Sequence, residues 1–319
     1  MQSFDVLTFG EPLVNFVARE PGSLHDVSEF WRGIGGAEVN VAVGLARLGH
    51  RPQYISQVGD DVLGDYIARR LCEEGVNTDY VRVCKEATTG YQFKTKVAEG
   101  DPEIHYVRRN SAASKLRFHE DHKALIESAT LVHMTGIPLA LSTETLNFAE
   151  QFIAAAKAAK KRLTFDPNLR PSLWPSAQQM VETINSFAAM ADIVLPGLAE
   201  GRTLTGLQNP EEIARFYIEQ GVGAVVVKLG PDGAFFQTQN RRGYIGGYPV
   251  TQVVDTVGAG DGFAVGVISA LLEDLPVADA VARGCAIGAM QVMCEGDLEG
   301  LPSRAALRAF EQEVGRMHA

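Results

Sequence analysis

An acid set among glycines is where this chain could do chemistry: Asp255-Thr256-Val257-Gly258-Ala259-Gly260-Asp261-Gly262-Phe263. A strand-like run at 248–254 precedes it and an apolar helical pattern at 263–272 follows, so the glycines stand at a strand-to-helix junction. The first amides of a helix lack partners within it and its dipole is positive there, so the N–H groups of Gly258, Ala259 and Gly260 can converge on a phosphate. Asp261 puts a carboxylate at the rim of a site that otherwise attracts negative charge. That placement suits a base taking a proton from a hydroxyl as it attacks a phosphate. The same four residues, Gly-Ala-Gly-Asp, also suit a tight turn capped by Asp.

A second glycine cluster lies near the start, in Gly33-Ile34-Gly35-Gly36-Ala37-Glu38-Val39-Asn40, followed by a small-residue helix. Gly35 and Gly36 can expose amides to a ligand, and Asn40, one turn into the helix, can offer its side-chain amide to a hydroxyl. The outline is a polyol site. It is not a dinucleotide fingerprint, because Glu38 stands where that motif needs a small residue, and G-x-x-x-x-G-K-[ST] occurs nowhere. His119-Glu120-Asp121-His122 has the look of a metal cluster but reads better as a polar helix start.

The elements that must position these residues follow a βαβ rhythm, with strands at 4–10, 53–58, 76–83, 131–134, 163–165, 193–195 and 224–229. Ligands of open parallel sheets bind beyond the carboxyl ends of strands. Asn168 and Arg170 follow 163–165, and Glu200 follows 193–195 at a helix start. Lys228, Gly230 and Gly233 lie in a glycine turn that can shape a nucleotide pocket or only reverse the chain. The rhythm breaks at 89–96 and 103–109, which alternate polar and apolar around Glu99-Gly100-Asp101-Pro102. With 13–18 they form a small sheet, naturally used as a lid over a cleft. Tyr91, Tyr106 and Arg108 are its inward candidates, able to bond hydroxyls and clamp a carboxylate. On propensity alone the tyrosines are equally sheet formers and Arg108-Arg109 a solvated edge.

A net charge of −10 argues against nucleic acid or an anionic membrane as partner, so an anionic ligand must be held by local groups. Four cysteines without C-x-x-C spacing suggest neither a disulfide framework nor a zinc site. With no basic leader or apolar run of about 18 residues, a cytoplasmic protein is expected.

Taken together, the two glycine motifs at opposite ends resemble those of the ribokinase-like carbohydrate kinases of the PfkB type, over nearly the whole chain. The resemblance implies one α/β domain over 1–319, a three-layer α/β/α body with a mostly parallel sheet, and β-lid segments inserted at about 12–34 and 88–112. It also implies ATP with Mg2+, a monovalent cation in some cases, Asp261 as the base, and homo-oligomers formed through the lid. Gly10-Glu11-Pro12-Leu13-Val14, Tyr106-Val107-Arg108, Asn168-Leu169-Arg170-Pro171 and Gly296-Asp297-Leu298-Glu299-Gly300 are most similar to the kinases of 2-keto-3-deoxygluconate. Carried over by position, these imply Gly36, Asn40, Tyr91, Tyr106, Arg108, Arg170 and Asp297 around a sugar acid, and Lys228, Gly230 and Gly233, with Thr256, Asn168 and Arg170, beside the nucleotide. Arg108 and Arg170 would supply the cations that a sugar acid requires. Glu200 would help organise magnesium, although many relatives carry Asn-x-x-Glu where this chain has Gly197-Leu198-Ala199-Glu200. Fructokinases share parts of the pattern, and a non-catalytic sugar or nucleotide sensor could use the same fold.

Overall fold

The computed structural model describes residues 3–97 and 102–317, so Glu99-Gly100-Asp101 of the turn expected between lid strands lies outside the described residues. Thirteen strands are described: β1 (Phe4–Phe9), β2 (Leu13–Pro21), β3 (Phe30–Gly35), β4 (Pro52–Gly59), β5 (Asn77–Cys84), β6 (Tyr91–Lys96), β7 (Ile104–Val107), β8 (Ala129–Thr135), β9 (Arg162–Asp166), β10 (Ile193–Val194), β11 (Ala224–Lys228), β12 (Ala234–Thr238) and β13 (Arg242–Ile245). Nine of them form one sheet in the order β13-β12-β11-β10-β9-β8-β1-β4-β5. Its strands are parallel except that β12 runs antiparallel to both β11 and β13.

Successive residues of a strand face opposite sides, and here both sides are apolar. Val6, Tyr54 and Val226 belong to one core cluster, under the helices Ala37–Arg47, Ala259–Leu272 and Val277–Val292. Leu7, Ile55 and Val225 belong to the other, under Thr143–Ala158, Ala177–Ala188 and Pro210–Glu219. The result is the three-layer α/β/α body. From the central β1 the chain builds β4 and β5 to one side and β8 onwards to the other. Such a reversal opens a crevice beyond the strands' carboxyl ends.

A separate four-stranded sheet, β3-β2-β6-β7, stands over that crevice. Its register is the key to what it presents. Gln92 pairs with Tyr106 and Asn15 with Gln92, so those three share the inner face, while Tyr91, opposite Val14 and Val107, turns outward.

Two expectations fail. The run at 248–254 is not a strand: Val253 and Val254 are 57% and 43% exposed, and Val254 N donates to Val292 O at 2.8 Å instead of to a ladder. Its β-branched residues had the propensity but no neighbouring strand to pair with. The helix after it also starts earlier than 263, at Ala259, inside the glycine motif.

Candidate active site

Gly258 caps the Ala259–Leu272 helix at φ 78, a left-handed conformation that glycine adopts without a Cβ penalty. Asp261 therefore falls in the helix's first turn, where the amides have no partner within the helix. Its carboxylate is 9% exposed and held by two side-chain amides: Asn40 Nδ2 donates to Oδ2 at 2.7 Å and Asn168 Nδ2 to Oδ1 at 3.2 Å. Both asparagine carbonyl oxygens are buried without a protein partner, which leaves them as acceptors for a ligand's hydroxyls. Burial pushes Asp261 up to about 7, against the opposing pull of the Asn40 hydrogen bond.

Each neighbour is placed by its element. Gly36, at φ 126, lets the helix carrying Asn40 start directly against Glu11, whose carbonyl oxygen would stand 2.4 Å from any Cβ there. Asn168 is held left-handed at φ 41 just beyond β9, with its N–H on Asp166 Oδ1 at 3.2 Å. Asn tolerates that conformation, and such strain is typical of functional sites. At the end of β11, Lys228 Nζ pairs with Asp166 Oδ2 at 2.7 Å. Burial drives Asp166 up to about 6 although Lys228 pulls it down. For Lys228 burial acts downward, but Asp166 and Glu200 prevail and keep the ammonium charged.

Two cavities meet at this helix terminus. One, of about 510 Å³, is polar, and the other, of about 350 Å³, is lined by Tyr248, Val250, Phe263, Ala289 and Val292. Lys228, Thr256 and Gly260 border both. Of the residues singled out in the sequence, Gly36, Asn40, Tyr106, Arg108, Asn168, Arg170, Glu200, Gly258, Asp261 and Asp297 line the polar cavity. Gly230, Gly233 and Ala259 line the apolar one. The glycine turn therefore shapes a cavity as well as reversing the chain into β12.

Gly35 and Tyr91 line neither cavity. Gly35 is a seat for Asp297, whose Oδ2 would lie 2.3 Å from a Cβ at that position. Tyr91 sits on the outer face of the lid, edge-on to Phe16 and Phe93 at 6.1 and 5.9 Å. Strand alternation explains this: the sequence pattern puts both Tyr91 and Tyr106 inward, yet Tyr106 pairs with Gln92, and a neighbour of Gln92 must point the other way.

Arg108 reaches the cavity, but not as a free cation. Its Nε donates to Glu11 Oε2 at 2.6 Å and its Nη2 pairs with the same carboxylate, which also accepts from Ser111 Oγ. Glu200 is likewise engaged, accepting from Leu169 N at 2.8 Å and Gly197 N at 2.7 Å. It caps its own helix and fixes the loop that carries Asn168 and Arg170. Among the described residues no three His, Cys, Asp or Glu side chains cluster as a metal cage, and His119-Glu120-Asp121-His122 begins the helix Glu120–Ser128.

Sequence reasoning missed four polar lining residues: Glu11, Glu38, Gln92 and Asp166. Glu11 and Asp166 sit at or just past the carboxyl ends of β1 and β9, the signal that did select Asn168. Glu38 was read only for the motif it spoiled. It is 1% exposed, accepts from Thr135 Oγ1 at 2.5 Å, and burial lifts it to about 7.

Known proteins resemble this chain in sequence and in fold. The sequence profile described as pfkB family carbohydrate kinase matches residues 3–304. A 2-dehydro-3-deoxygluconokinase of Bacillus subtilis (strain 168) is 50% identical over 315 residues, covering 98% of this chain and 97% of that protein. A probable fructokinase-6, chloroplastic, of Arabidopsis thaliana is 37% identical over 315 residues, covering 95% and 81%. Among solved structures, an E. coli protein provisionally assigned as ribokinase II, in complex with ATP and Mg2+, superposes with a TM-score of 0.88 at 28% identity, covering 97% of this chain and 99% of that one.

Proposed function

The chain belongs to the pfkB family of carbohydrate kinases, and from that premise we propose that it transfers the γ-phosphate of ATP to the 6-hydroxyl of 2-keto-3-deoxygluconate. One observation carries the reading: Asp261 lies buried at a helix N-terminus where a polar cavity and an apolar cavity meet. The apolar cavity suits a nucleobase. The phosphates then run past Lys228 and Thr256 to the amides of Gly258 to Asp261, and the sugar fills the polar cavity under the lid.

In this arrangement Asn40 and Asn168 orient Asp261, and its carboxylate takes the proton of the 6-hydroxyl as the oxygen attacks phosphorus. The helix amides and Lys228 receive the charge that develops on the phosphoryl oxygens. Tyr106, Asp297 and the asparagine carbonyl oxygens meet the sugar's hydroxyls. Arg170 carries the carboxylate recognition, because Arg108 is already paired with Glu11. Magnesium fits as an ion arriving with the nucleotide: Asp166 and Glu200 face the phosphate path and would hold it through water, where it would neutralise the phosphates.

Fructokinase activity is the second reading, favoured by the Arabidopsis relative and by the committed charge of Arg108, since a neutral ketose needs no cation. ADP release measured over a panel of sugars decides. The first reading expects kcat/KM for 2-keto-3-deoxygluconate well above that for fructose, the reverse order establishes fructokinase, and binding without ADP release with any sugar returns the sensor reading.

A further inference from the structure

Asp255 opens the glycine motif, yet it faces neither the sugar nor the nucleobase cavity. Its Oδ1 accepts from Val257 N at 3.1 Å, and its Oδ2 accepts from Gly296 N at 3.0 Å and from the ammonium of Lys94. One carboxylate thus ties together the phosphate-binding turn, the 296–300 turn and lid strand β6. The Lys94 and Asp255 side chains are 2% and 5% exposed, and Asp297 Oδ1 lies 3.8 Å from the same ammonium. Two buried carboxylates that face one ammonium depend on its charge to be tolerated there. The two turns are also in direct contact, since a Cβ on Gly258 would stand 2.6 Å from Asp297 O. A small cavity of about 80 Å³, lined by Lys94, Val254 and Asp255, opens on the pair.

We propose that Lys94 is a positioning residue that acts as a built-in monovalent cation, holding Asp255 so that the Gly258 to Gly260 amides are set for the phosphate without any added ion. The proposal rests on the kinase reading of the site but not on which sugar is the substrate. Removing the ammonium leaves Asp255 and Asp297 repelling each other, and the motif that hangs on Asp255 shifts. Because the adjoining cavity has room for a small ion, a potassium or ammonium ion can then take the ammonium's place.

The test follows ADP release by the full chain with ATP, Mg2+ and the best sugar of the panel, in choline, potassium or ammonium chloride at matched ionic strength. Wild-type kcat is expected to agree within about twofold across the three salts. Lys94→Met should lose about a hundredfold in kcat in choline chloride, the scale of a small misplacement of catalytic groups. Ammonium or potassium should then restore at least about tenfold of it with saturation, while tetramethylammonium, too large for the cavity, restores none. Several-fold potassium activation of the wild type overturns the proposal whatever the variant does. So does a Lys94→Met protein with wild-type kcat in choline, or one that keeps wild-type circular dichroism and unfolding yet regains nothing in any small cation. Should no sugar support turnover, ATP affinity titrated in the same salts gives the same comparison, so failure of the substrate reading and failure of this one remain separate.

Discussion

Asp261 is bonded by two neutral amides and by no ammonium, since Lys228 is taken up by Asp166. Neutral donors favour its charged form less than a cation would, and burial prevails, leaving the carboxyl at about 7. A base must be unprotonated, so kcat/KM should rise with pH through about 7 and level off above it. Glu38 also sits at about 7, so the profile alone does not assign the limb. Asn40→Asp does: it puts a like charge against Asp261 and should move the limb upward, whereas Glu38→Gln takes a like charge away and should not raise it. Replacing Asp261 with Asn removes the base and keeps the shape. The expected loss is about two to four powers of ten in kcat with ATP affinity little changed, read from coupled ADP release and a nucleotide titration. A variant within threefold of wild-type kcat would sink the assignment.

The Ala259–Leu272 helix carries Asp261 and is buried along nearly its whole length, so its position fixes the site. It is set by close approach to the Val277–Val292 helix, where a Cβ on Gly266 would meet Gly284 N at 2.5 Å and Arg283 O at 2.6 Å. Both obstacles are backbone. Alanine is the better helix former by about 1 kcal/mol, yet Gly266→Ala should lower stability by about 1–3 kcal/mol through overpacking, with kcat falling as the helix terminus shifts. Urea unfolding and turnover on the same preparation check both halves. This helix also shows what the sequence could and could not convey. Its apolar body was legible from composition, but its start at Ala259 depended on the left-handed cap at Gly258, which an apolar pattern does not encode. Asp261, Asn40 and Asn168 were legible from residue type and position at strand or helix ends. Their convergence on one carboxylate was not, because contacts between residues 93 and 221 positions apart leave no local trace. Lys94 and Glu11 escaped for a related reason: each is charged and buried, and the partner that makes burial tolerable lies far along the chain.

At the scale of the molecule, the lid has two faces with different tasks. The inner one carries Gln92 and Tyr106 to the crevice and Lys94 to Asp255. The outer one carries Phe16, Phe30, Tyr91 and Phe93, half-buried and in mutual contact, with Phe16 and Phe93 stacked at 5.3 Å and Phe30 edge-on to Phe93 at 5.4 Å. A half-exposed aromatic patch on a small sheet favours burial against a second copy, particularly as the net charge of −10 would otherwise keep chains apart. The expected state is therefore a homo-oligomer paired through these faces. Phe93→Asp places a charge at the centre of the patch, and sedimentation velocity should then show monomer at concentrations where the wild type is associated. The kinetic consequence is specific, because alternation couples the faces: an outer-face change disturbs Gln92 and Tyr106 on the same ladder before it reaches the apolar cavity. KM for the sugar should rise about tenfold or more while KM for ATP moves little, on the scale of losing one or two hydrogen bonds to a ligand. An associated Phe93→Asp protein, or a wild type that is monomeric throughout, rules out pairing by this face. An equal rise in both KM values places the disturbance in the body rather than the lid.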